Sequence, residues 1–141
     1  MLRAYRDDDL ADVLDVWYRA SLIAHPFLSA EFLERERQQI ADEWMPAADT
    51  TVYVAEGRVV GFLSLIGDEI GAIFVDPDRH RQGIGRALMD SALARRPFLE
   101  LDVFEANETG RRFYEASGFE VVDRHLDAET GHPELRLRHE V

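Results

Sequence analysis

The stretch Ile73-Phe74-Val75-Asp76-Pro77-Asp78-Arg79-His80-Arg81-Gln82-Gly83-Ile84-Gly85-Arg86 decides how the rest of the chain is read. It begins as an apolar strand. Pro77 ends that strand, because it lacks an amide proton and forces Asp76 into an extended conformation. Arg79-His80-Arg81 supplies positive charge, and Gly83 and Gly85 open a helix with apolar residues at Ile84, Ala87, Leu88 and Ala92. Glycines at the mouth of a helix let backbone N–H groups approach a ligand, and the helix end adds partial positive charge. The pattern suits a phosphate or pyrophosphate cradle, and also a plain glycine-rich strand-to-helix turn. Two better-known cradles are excluded. The P-loop needs a lysine after its last glycine, whereas all 16 basic residues here are arginine. The dinucleotide fingerprint needs Gly or Ala three residues after the second glycine, and Leu88 stands there.

Working outward, the 141 residues suit one domain spanning 1–141, and 46% hydrophobic content argues against disorder. No run of 18 apolar residues offers a membrane span, and the N-terminus shows no signal-peptide pattern. The absence of cysteine excludes disulfides, zinc–thiolate sites and cysteine nucleophiles, and makes a cytoplasmic location the expectation. A net charge of −12 argues against nucleic acid as a partner and favours a cationic one, or simply a solvated acidic surface. Against that background, seven of the 16 arginines lie between Arg79 and Arg112, at 79, 81, 86, 95, 96, 111 and 112. An anionic cofactor needs such a local concentration.

Taken in order, Leu2 to Tyr5 reads as a short strand. Asp7, Asp8 and Asp9 then introduce a helix to about Ser21, striped by Leu10, Val13, Leu14, Trp17 and Ala20. His25-Pro26-Phe27-Leu28 is an apolar loop. Ser29 caps a second helix to about Trp44, with Glu34 to Gln39 facing solvent. Thr50–Ala55, Arg58–Ile66 and Glu69–Val75 form a three-strand meander ending at the cradle. Beyond the cradle helix, Phe98–Phe104 is a strand. It lies parallel to Glu69–Val75, because a strand–helix–strand unit crosses over right-handed. A helix over Ala106–Ser117 with Gly118 just past its end precedes a final hairpin, Phe119–Leu126 and Glu134–His139. The order β-α-α-β-β-β-α-β-α-β-β implies an α/β (α+β) fold, a mixed central sheet of seven strands with helices on both faces.

That order, over essentially the whole chain, resembles the GNAT N-acetyltransferase family. The family's pyrophosphate loop reads Arg/Gln-x-x-Gly-x-Gly/Ala after a strand ending Val-x-Pro. Val75-Asp76-Pro77 and Gly83-Ile84-Gly85 match it, while the first loop position is His80, flanked by Arg79 and Arg81. Asn107, Phe113-Tyr114 and Gly118-Phe119 are similar to the family's Asn…Phe-Tyr-x-x-x-Gly-Phe signature. His25 to Phe32, with Asp76-Pro77-Asp78, resembles the small single-domain bacterial acetyltransferases of the YjaB type.

The resemblance implies acetyl-CoA as cosubstrate, no metal, and direct transfer of acetyl to a primary amine in a ternary complex. The acceptor can be a small molecule or a peptide or protein amine. It implies cofactor contacts from Ile73, Phe74, Val75, His80, Arg81, Gln82, Gly83, Ile84, Gly85, Arg86, Asn107 and Gly110. An amide of the fourth strand, at Phe74 or Val75, would meet the thioester oxygen, and Tyr114 would act as general acid toward the leaving thiolate. From spacing alone, Asn107, Gly110 and Tyr114 project from one helix face. Equally, Asn107 can simply cap that helix and Tyr114 simply pack. The base is open between Glu69, His25, Glu100, Asp102 and a water relay. Small residues at Gly71 and Ala72 leave room near the thioester, and Trp44 is a core, groove-wall or acceptor-facing residue. His125, His132 and His139 are not aligned for a metal, since Gly131 and Pro133 preclude a helix. The rival class is a non-catalytic acyl-CoA binding or sensing module, which would keep the cradle but need no Tyr114. Monomer and homodimer are both compatible with the sequence.

Overall fold

Arg58–Ile66 is the central strand, and every residue from Val59 to Leu65 is buried. A strand with so little polar sequence must be covered on both faces. In the computed structural model, which describes residues 1–140, it is. The elements in order are β1 (Leu2–Ala4), α1 (Leu10–Ala24), α2 (Ala30–Gln39), α3 (Met45–Ala47), β2 (Asp49–Ala55), β3 (Arg58–Ile66) and β4 (Glu69–Val75). There follow α4 (Ile84–Arg95), β5 (Leu99–Phe104), α5 (Glu108–Ala116), β6 (Glu120–Leu126) and β7 (Pro133–His139). The seven strands form one mixed sheet in the order β1-β2-β3-β4-β5-β7-β6. This is the expected mixed sheet, and the final hairpin completes it. Its second strand, β7, inserts beside β5, leaving β6 at the edge.

Each face of the sheet carries its own core. On one, Val13, Val16 and Trp17 of α1 and Leu33 of α2 pack with Val52, Val59 and Phe62. On the other, Ile84, Leu88 and Met89 of α4 and Phe119 pack with Leu63, Leu65, Leu99 and Leu101. Helix α1 runs one turn past the expected Ser21. Its buried stripe takes in Val16, Ala20 and Ser21, whereas Leu14 is only half-buried. The expected second helix is α2 followed by a wider π-helical turn, Ile40–Trp44. That turn delivers the Trp44 ring onto Gly71, where any Cβ would overlap it. The space expected at Gly71 is therefore filled by indole. Among the described residues no helix is long and apolar enough to cross a membrane.

Two irregularities in β4 position the site. Pairing with β3 slips between Ser64↔Ala72 and Leu65↔Ile70, so Gly71 is the extra residue of a bulge. On the other side, β4 meets parallel β5 only at Glu69↔Glu100, held by the Glu100 amide donating to the Asp68 carbonyl at 2.9 Å. Past that rung the two strands part. The edge of β4 toward β5 then has no strand partner in the middle of a sheet, where unpaired backbone groups are costly.

Candidate active site

The parting strands open into a cavity of about 360 Å³, lined by Ile70 to Phe74 from β4 and Leu101 to Phe104 from β5. Tyr114 and Asn107 close one side, and Ser21, His25, Phe32, Glu36 and Trp44 close the other. The cavity thus collects Ile73, Phe74, Asn107, Tyr114, His25 and Glu69 from the predicted residues. The loop residues His80 to Gly83 are exposed and lie outside it, at the N-terminus of α4.

The loop is anchored from below. Asp76 is 4% exposed and takes two hydrogen bonds from the Arg19 guanidinium of α1, at 2.9 and 2.7 Å, and one from the Asp78 amide at 2.9 Å. The bonds from Arg19 hold its carboxyl below the usual carboxylate range, against the opposing effect of burial. Arg81 and Gly83 both adopt left-handed backbone, with φ of +67° and +78°. Gly83 is the cap of α4 and supplies no side-chain hydrogen bond to it, and a Cβ there would meet nothing within 4 Å. The first amides of α4 are therefore open to an anion, as a cradle requires. A Cβ on Gly85 would make only ordinary contact with the Phe113 ring, at 3.4 Å.

The arginine concentration is largely committed elsewhere. Arg79 pairs with Glu56 at 3.1 Å and Arg95 with Asp49, while Arg96 and Arg111 donate to the carbonyls of Gly67 and Glu105. Arg86 and Arg112 make loose helix pairs, at 3.9 Å with Asp90 and 3.8 Å with Glu108. Among the described residues Arg81 has no acidic partner. Of the local arginine concentration, the charge left at the loop comes from Arg81 and Arg86, beside the helix end, while Arg79 is paired.

Asn107 caps α5. Its side-chain oxygen accepts from the Gly110 amide at 3.0 Å, and a Cβ on Gly110 would fall 2.5 Å from the Asn107 amide nitrogen. Gly110 thus makes room for the cap, and Asn107 borders the cavity as well. Tyr114 is half-buried against Phe113 and Phe119, with ring centroids at 5.6 and 6.0 Å. Burial pushes its phenol above the ordinary value. The group stays protonated at neutral pH and has a proton to give.

The candidate bases separate. Glu69 accepts from Arg136 at 3.0 Å, and the same guanidinium bridges Glu100 at 3.0 Å and Asp102 at 3.3 Å. This clamp ties β4, β5 and β7 together where β4 and β5 still touch. Bonds from Arg138 and then Arg136 hold the Glu100 carboxyl low. His25 ends α1 inside an aromatic cage, 5.9 Å from Phe27, 6.4 Å from Phe74 and 5.1 Å from Phe104. Burial there lowers its imidazole to about 4, so the ring is neutral at pH 7.

The other histidines go to separate places. His132 packs on Phe27, and His139 bonds the Pro97 carbonyl at 3.1 Å. His125 lies between Glu134 at 3.2 Å and Asp102 at 3.8 Å. Spacing could not show that grouping, because it comes from three neighbouring strands. The sequence reading also missed Glu36, expected among solvent-facing residues. It sits half-buried at i+3 from Leu33 and i−4 from Ile40, a position on the apolar stripe that was readable. Ser21, Asp127 and Glu129 were missed as well, and only tertiary folding brings them to the cavity.

A split parallel pair beside a glycine-capped helix defines a class, and comparison with known proteins agrees. The profile of the acetyltransferase (GNAT) domain matches residues 48–121. The chain belongs to the GNAT acetyltransferase family and is an enzyme of the acyltransferase class. It is 33% identical to peptidyl-lysine N-acetyltransferase YiaC of Escherichia coli (strain K12), over 94% of this chain and 92% of the relative. To peptidyl-lysine N-acetyltransferase YjaB of the same organism it is 35% identical, over 94% and 90%. The solution structure of apo YjaB matches with a TM-score of 0.88 and 33% identity, covering 99% of this chain and 96% of that one. The PaiA N-acetyltransferase of Thermoplasma acidophilum, solved with coenzyme A, matches with a TM-score of 0.83 at 18% identity, covering 100% and 98%; this likeness is one of fold.

Proposed function

We propose that the protein transfers the acetyl group of acetyl-CoA to the side-chain amine of a lysine in a protein or peptide. The carrying observation is the wedge between β4 and β5, which joins an unpaired strand edge to a cavity containing a protonated phenol. The pantetheine arm, with its two amides, fits as a surrogate strand along Ile73 to Val75. Its pyrophosphate fits the open amides of α4 with Arg81. The neutral amine attacks the thioester carbonyl carbon, whose oxygen gains charge and takes a hydrogen bond from a β4 amide at Phe74 or Val75. As the C–S bond breaks, Tyr114 gives its proton to the departing sulfur, and the proton that the attacking nitrogen then sheds restores the phenol, leaving amide and free thiol. The amine must first lose a proton. His25 is neutral and borders the cavity, and Glu69 is held by Arg136, so we assign that proton to water at the His25 side. Lysine as acceptor rests on the relatives' names and on the cavity's acidic lining.

The test is thiol release from acetyl-CoA with lysine peptides, followed by mass spectrometry of the product. Acetate on the lysine ε-nitrogen is expected. Thiol release with small amines alone would overturn the peptide reading.

A further inference from the structure

The cavity is lined by six carboxylates, those of Glu36, Glu69, Asp102, Asp127, Glu129 and Glu134, and by no arginine. Three are matched within the chain: Glu69 and Asp102 by Arg136, and Glu134 by His125. The other three have no cation among the described residues. Glu36 projects from α2, and Asp127 and Glu129 from the turn between β6 and β7, so they approach from opposite sides. Asp127 accepts hydrogen bonds from the Thr130 amide and hydroxyl, at 3.0 and 2.7 Å, but no cation among the described residues offsets the charge: burial, then Glu129 and Asp127, raise the Glu36 carboxyl above its ordinary value. Burial, then Asp127 and Asp102, do the same to Glu134 despite the His125 bond. An independent feature marks the same cavity as a place for a polar ligand. Ser21, 1% exposed, lines it, and among the described residues its hydroxyl is the buried side-chain polar atom left without a hydrogen-bond partner. Such a hydroxyl can take a partner, water or ligand, from the cavity it lines. Phe32 and Trp44 beside Glu36 supply apolar surface for the methylene stem of a long basic side chain.

We propose that Glu36, Asp127 and Glu129 bind a second positive charge on the acceptor, an arginine or lysine beside the lysine that is acetylated. This rests on the acetyl-transfer reading and adds a sequence preference to it.

The test uses short peptides with one central lysine flanked by arginine, alanine or glutamate. Both kcat/KM and, by titration calorimetry, Kd are measured with wild-type protein. The arginine-flanked peptide is expected to have KM and Kd roughly tenfold below the alanine-flanked one, with the glutamate-flanked one weakest. Glu129→Gln, at an exposed turn, and Glu36→Gln should shrink the arginine-to-alanine ratio toward one, with cofactor titration and thermal melting reporting that the variants are folded. A wild-type ratio near one, or a ratio that survives both substitutions, would overturn the proposal and leave acetyl transfer standing. If no peptide is acetylated, the function reading falls, and the Kd ratio still decides the acidic wall.

Discussion

Tyr114 and His25 stand at opposite sides of one cavity, and burial moves each in the direction of its neutral form. For Tyr114 that preserves a proton. Tyr114→Phe is expected to lower kcat on the order of 10²-fold while cofactor affinity stays as in the wild type, by stopped turnover against calorimetry. A sensing module would show no turnover to lose. For His25 the folded pKa lies near 4 and the ordinary value at 6.5. The unfolded chain therefore binds the extra proton first, and stability is fully present above pH 6.5. The His25 contribution falls as pH drops from 6.5 toward 4, by up to about 3 kcal/mol, and is constant below that. His25→Asn should flatten this slope in urea melts across pH 4 to 7; an unchanged slope would mean that the ring is not buried neutral. Both residues were legible in the sequence, Tyr114 through its signature and His25 through its apolar loop. The use of Asn107 was not, because capping a helix and facing a ligand require the same amide at the same place. The folded chain shows both placements at once, the cap over Gly110 and the border of the cavity.

At the scale of elements, the cradle depends on the joint between β4 and α4. Asp76 fastens that joint to α1 through Arg19, with the buried partner being the aspartate. Asp76→Asn should cost about 2 kcal/mol, the range of a hydrogen bond to a charged group, and should weaken cofactor binding more than it lowers kcat. Loss of stability with unchanged cofactor affinity would make the joint purely structural. The meander, the parallel crossover and the glycine-capped helix could all be read in advance, since each follows from local pattern and handedness. Two features could not. Strand β7 takes the place beside β5, a choice made by the match of Leu135 and Leu137 to the core. The π-helical turn at Ile40–Trp44 exists to lay Trp44 over the Gly71 bulge, a contact between residues distant in sequence.

Across the whole molecule, the charge of −12 repels an anionic cofactor and attracts a basic peptide. Raising salt from about 50 to about 300 mM should weaken binding of an arginine-flanked peptide several-fold and leave an alanine-flanked one little changed, because screening shortens to less than 10 Å. Equal salt effects on both would locate the attraction outside the acidic wall. Composition foretold the sign of this field. It did not foretell that the arginines near the cradle would mostly be tied to carboxylates and carbonyls, since pairing depends on where Glu56, Asp49 and Glu105 fall in space. Everything proposed for the site requires that the remaining loop, with His80 in its first position, still holds the cofactor. Titration calorimetry of acetyl-CoA into the purified protein tests that directly. One-to-one binding in the micromolar range is predicted, weakened with dephospho-CoA and by Arg81→Ala. No heat at millimolar cofactor, from protein whose circular dichroism shows an intact fold, would contradict it.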